Sequence, residues 1–177
     1  MATITHVDSG KACSAFGRLV GKWKQTKAEA LAEKLEAQGF NWMMRKMFAV
    51  VSPTLSYTLK GTSLAVTMNL GLGIEVPGAD ITIGAKEPVV IHALGRIMEA
   101  WLSIDDDGNP RAENHVYLTE QAFNERKPSY TSHDSWVFDA SDKTLAAVNI
   151  TKIDGKPDTC SRILMTRIGG EPLIASS

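Results

Sequence analysis

The chain has 177 residues, of which 44% are apolar and 22% charged, and a formal net charge of -1. That length suits one domain with a self-sufficient core, and the balanced charge excludes a general attraction to nucleic acid or other polyanions. Cys13 and Cys160 lie far apart without metal-ligand spacing, which argues against a disulfide framework or a zinc site and for reduced thiols in a cytoplasmic protein. No apolar run has signal-peptide character or approaches the ~18 residues of a membrane span.

Residues 1–15 read as an N-terminal extension and residues 20–24 as a short strand. Helical periodicity follows over residues 26–51 and divides at Gln38-Gly39. Thr26 and Glu29 stand in capping-box spacing, and Ala28, Leu31, Ala32 and Leu35 form one stripe opposite Glu29, Glu33 and Glu36. Gly39 suits a left-handed helix terminus, after which Asn41 caps a second helix. That helix gathers Met43, Met44, Met47, Phe48 and Val51 on one face and stops at Ser52-Pro53.

Beyond Pro53 the period becomes two. Leu64, Val66, Met68 and Leu70 alternate with polar or small residues, and further strands fall at 54–60, 79–83, 89–94, 97–104, 112–119, 130–138, 144–151 and 158–167. Lys60-Gly61, Asp107-Gly108 and Asp154-Gly155 suit hairpin turns, and 120–132 is the loosest stretch. About ten antiparallel strands with one helical excursion predict a mainly β fold, an up-and-down barrel over residues 16–170 with a helix-turn-helix lid after the first strand and a tail at 171–177. A barrel of ten strands is wider than the ~8 whose side chains can fill it, so an internal cavity is expected.

The opening of the barrel resembles the intracellular lipid-binding proteins, the fatty-acid-binding and cellular retinoid-binding family of the calycins. The resemblance rests on Gly21-x-Trp23-Lys24 and on the spacing from it to Leu35, Gly39, Arg45-Lys46-Met47, Pro53 and Lys60-Gly61, over residues 19–73. It implies that Trp23 seals the barrel floor, that the helix pair is a portal, and that Trp42, Met43, Met47 and Phe48 either touch a ligand or pack the lid. Family members that bind carboxylates use an inward arginine and an Arg-x-Tyr near the C-terminus. Here glycine follows in Arg167-Ile168-Gly169 and leucine in Arg162-Ile163-Leu164. Arg162 and Arg167 are five apart, so at most one faces inward on a regular strand.

The remaining ligand-lining candidates are Met68, Trp101, Trp136, and the pair His115 and Tyr117 on one strand face. Ser132-His133-Asp134 has the composition of a catalytic triad, but strand neighbours point to alternate faces and cannot form the relay. The segment 103–114 lacks the terminal acids of a calcium loop and reads as a polar turn. The leading expectation is a monomeric carrier of a fatty acid, retinoid or similar lipophile, without cofactor or metal, touching membranes at most transiently through its lid. The alternative is an enzyme acting on an apolar molecule in the same cavity, luciferase-, isomerase- or lyase-like, with His92, His115, His133 or Tyr117 as acid–base groups.

Overall fold

The computed structural model describes residues 9–71 and 73–172. The expected extension and tail lie partly outside the described residues, as does His6. Ten antiparallel strands form one sheet: β1 (Gly21–Glu29), β2 (Thr54–Lys60), β3 (Ser63–Gly71), β4 (Ile74–Thr82), β5 (Val89–Ala93), β6 (Arg96–Ile104), β7 (Pro110–Tyr117), β8 (Tyr130–Phe138), β9 (Thr144–Lys152) and β10 (Thr159–Gly169). Their order is β4-β3-β2-β1-β10-β9-β8-β7-β6-β5, an up-and-down meander rolled so that its first and last strands pair. The edges β4 and β5 come together without a ladder, and near the floor the bridge Ile83–Leu102 ties β4's end to β6. Rolling the sheet removes most of the edge that an open one would expose.

The helices sit at opposite ends. At the floor, α1 (Ser9–Gly17) buries Ala12 and Phe16 in the core with Leu19, Trp23, Leu145 and Met165. At the mouth, α2 (Leu31–Ala37) packs on β10 and on α3 (Trp42–Val50), and α4 (Glu120–Asn124) leans on the outer face of β7. No helix among the described residues is long and apolar enough to cross a membrane.

Several local expectations hold in atomic detail. Phe40 N–H reaches the Leu35 carbonyl around Gly39 at φ 75°, closing α2 in the left-handed manner that glycine permits. The Asn41 side chain accepts from Met44 N–H at 2.9 Å, and α3 ends at Val50 before Ser52-Pro53. The start of the first lid helix differs. β1 continues to Glu29 because Lys27, Ala28 and Glu29 pair with Leu164, Ile163 and Arg162, and Thr26 Oγ1 donates to the Leu164 carbonyl instead of capping. α2 therefore begins after Ala30, which takes φ 53° with no side-chain cap. The ladder satisfies more backbone groups than one capping box.

The floor explains the Gly-x-Trp motif. Trp23 is fully buried, and its indole N–H donates to the Leu19 carbonyl at 2.7 Å. Arg167 stacks over the Trp23 ring at 4.2 Å and donates to the carbonyls of Arg18, Val20, Asp142 and Gly170. A Cβ at Gly21 would lie 2.6 Å from the Gly169 carbonyl oxygen, and one at Gly170 2.7 Å from Gly21 Cα. Glycine is needed at the start of β1 and just past the end of β10 for the two segments to approach this closely.

Candidate functional site

Register decides which side chains enter the barrel. Leu102, Ala112, Leu145, Met165 and Trp23 belong to the core, so their cross-strand partners and every second residue from them also face inward. One inward row is Leu102, Ala112, Asp134, Asn149 and Ser161; the next towards the mouth is Ala100, Asn114, Ser132, Thr151 and Thr159. The wall formed by β7 to β10 is thus polar at mid-height. The wall opposite is apolar, with Leu55, Val66 and Met68 from β2 and β3, Ile91 from β5 and Met98 from β6.

The polar side chains form a connected network. Asp134 accepts from the Asn149 amide at 2.7 Å through Oδ1 and from the Asn114 amide at 3.0 Å through Oδ2. Thr151 Oγ1 donates to Asn149 Oδ1 at 2.9 Å, and Gln38 Nε2 of the lid turn donates to Thr151 Oγ1 at 3.0 Å. Arg96 makes a second tie between lid and barrel: its Nη1 donates to the Gln38 carbonyl at 2.7 Å and to the Tyr130 hydroxyl at 3.0 Å, and its guanidinium stacks on Phe40 at 3.7 Å. Ser161, 2% exposed and beside Asn149 in the ladder, has no hydrogen-bond partner for its hydroxyl among the described residues.

Below this network the interior closes. Trp136 meets Phe16 and Tyr57 edge to face at 6.5 and 6.4 Å, and Phe138 meets Trp23 at 6.0 Å. Burial pushes the Tyr57 phenol up, opposed by the Trp136 indole and reinforced by the Asp134 charge. Burial also raises Tyr130, against the pull of Arg96. Both phenols therefore stay protonated and able to donate across the neutral range.

The sequence-derived candidates divide among three places. Met68 and Trp136 face the interior. Arg167 also faces inward, but at the floor and with its donors engaged on backbone carbonyls, while Arg162 is exposed on the outer face. On the lid, Met47 and Phe48 are half-buried, Phe48 stacking on Phe40 at 5.9 Å, whereas Trp42 and Met43 are 66% and 68% exposed. Trp101, His115 and Tyr117 lie together on the outer face of β6 and β7, the Trp101 and His115 rings 4.9 Å apart.

Tyr117 is nevertheless buried, because α4 lays Phe123 against it at 5.2 Å. Its hydroxyl donates to Glu99 at 2.7 Å, and burial and that carboxylate push the phenol up to about 12. Arg126 completes the cluster with an ion pair to Glu99. His92 and His133 also lie on the outer face. Burial, and then the neighbouring Arg111, draw the His133 imidazole down from its ordinary value.

The polar row was not anticipated as a site. Its signal is present in the alternation of Ser132, Asp134 and Trp136, which puts His133 on the opposite face, as strand geometry requires.

No protein-family profile and no curated protein matches the chain. Solved structures do. The fatty-acid-binding protein 1 of Echinococcus granulosus superposes with a TM-score of 0.64 at 16% identity, over 85% of this chain and 98% of that one. The fatty-acid-binding protein of Schistosoma mansoni, solved with arachidonic acid, gives 0.63 at 12% identity, over 87% and 98%. A fatty acid transporter designated REP1-NXSQ gives 0.61 at 19% identity, over 86% and 98%. The chain has the fold of the fatty-acid-binding proteins.

Proposed function

We propose that the protein binds a small apolar molecule in the mouth half of the barrel and that the α2–α3 pair gates its passage. The observation that carries this is the contrast inside one rolled sheet: Phe16, Leu19, Trp23 and Met165 at the floor are fully buried, while inward Leu55, Val66, Met68, Ile91 and Met98 are only partly so. Accessible surface on inward side chains near the mouth supports an unfilled space there. Each ~100 Å² of ligand surface they cover is worth about 2.5 kcal/mol.

The helix pair suits a gate because α3 has no fully buried side chain and is held through a few polar ties at Gln38, Arg96 and the Arg45–Glu36 ion pair at 2.7 Å. The Schistosoma mansoni protein of this fold was solved holding arachidonic acid, which supports the same use of the barrel here.

Titration with Nile red, a neutral apolar dye, tests the reading. Saturable one-to-one fluorescence enhancement, reversed by a competing lipophile that is recovered unchanged, is the expected result. Linear, non-saturable partitioning contradicts binding in the barrel. Turnover of the competitor would move the assignment to an enzyme.

A further inference from the structure

The geometry points to a ligand whose head is an uncharged hydrogen-bond donor, a hydroxyl or primary amide, seated at Asp134 and Ser161 in preference to a fatty-acid carboxylate. This deepens the proposed function and rests on it. Three observations converge. The fixed charge on the inward mid-height row is negative: Asp134 stands between Ala112 and Asn149, and both its oxygens accept amide hydrogen bonds. A carboxylate used as acceptor at both oxygens repels a second carboxylate, and water-poor surroundings strengthen that repulsion.

The inward arginine that would offset it is committed elsewhere. Arg167 lies at the floor, stacked on Trp23 and bonded to backbone carbonyls, on the far side of the Trp136 layer. Arg96 stands at the mouth, with Nη1 engaged by the lid turn and Tyr130.

The third observation is Ser161, whose buried hydroxyl faces the same interior one strand beyond Asn149 and has no partner among the described residues. A buried polar group is ordinarily satisfied, so an unpaired one beside a polar network marks where a ligand group would complete it. A hydroxyl or amide head can do so by donating to Asp134 while accepting from Ser161. Leu55, Met68, Ile91 and Met98 on the opposite wall then take the chain.

Displacement of Nile red by oleyl alcohol, oleamide and oleate, matched in hydrocarbon chain, measures the preference. The alcohol and amide should bind about tenfold or more tightly than oleate at neutral pH, as expected for one charge repulsion and one hydrogen bond exchanged. Asp134→Asn, which keeps the size of the side chain, should collapse that ratio by improving oleate. Ser161→Ala should weaken the alcohol and amide while leaving oleate nearly unchanged, and it serves if the Asp134→Asn variant does not fold. Equal or tighter binding of oleate by the unaltered protein, or a ratio unchanged in folded variants, overturns the inference while saturable dye binding leaves the proposed function intact. Absence of saturable dye binding defeats both.

Discussion

The two ends of this barrel are built by opposite rules. At the floor each group is committed: Phe16, Leu19 and Trp23 are fully buried, the Trp23 N–H is bonded, and Arg167 spends its donors on carbonyls of three chain segments. At the mouth, α3 has no fully buried side chain, and Trp42, Met43 and Val50 are 66%, 68% and 83% exposed. Buried contact is therefore concentrated at one end, and the proposed gate lies at the other. Local opening follows this kind of difference in buried contact and backbone protection. On the function proposed above, a sealed floor with a weakly held mouth would let a ligand pass without unfolding the sheet.

Two tryptophans put the contrast to its hardest test. Trp23→Ala should destabilise the protein by about 3–5 kcal/mol in chemical denaturation, as expected when a fully buried aromatic leaves a cavity. Trp42→Ala on the lid should change stability by no more than about 0.5 kcal/mol. Comparable losses in the two variants would break the distinction between the ends.

A smaller effect is expected where the ends are linked. Gln38→Ala removes the buried bond from the lid turn to Thr151 and should cost about 1–2 kcal/mol. It should also accelerate Nile red release in stopped-flow measurements, because the bond holds the turn against β9. An unchanged release rate would separate the lid turn from gating.

Much of the framework was legible in the sequence because its determinants are local. Strands 54–60 and 130–138 have the expected limits, and Gly61, Gly108 and Gly155 take positive φ in their turns. Asn41 and Gly39 act as their chemistry requires. The floor helix α1 escaped notice because its apolar residues are few, and Ala12 and Phe16 become core only against strands far along the chain. The overlong β1 was hidden for a related reason, since its last residues are strand only through pairing with β10.

Inside and outside were hardest to read on β6 to β9, where the usual pattern is inverted. Large aromatics Trp101 and Tyr117 lie outside, Tyr117 under α4, while Asn114, Ser132, Asp134, Asn149 and Thr151 point inward. Hydrophobic alternation marks the inner face only when the interior is apolar. In this barrel one wall is polar.

The most direct test of the central claim uses the methionine methyl groups as reporters. Met68 and Met98 face the mouth half of the interior, Met165 is buried in the floor, and Met43 is exposed on the lid. With isotope-labelled methionine methyls and Nile red, whose ring currents shift nearby resonances, saturating dye should move Met68 and Met98 strongly and Met165 and Met43 little. Shifts confined to Met43 and its lid neighbours, with Met68 and Met98 unmoved, would place the dye outside the barrel and contradict the account.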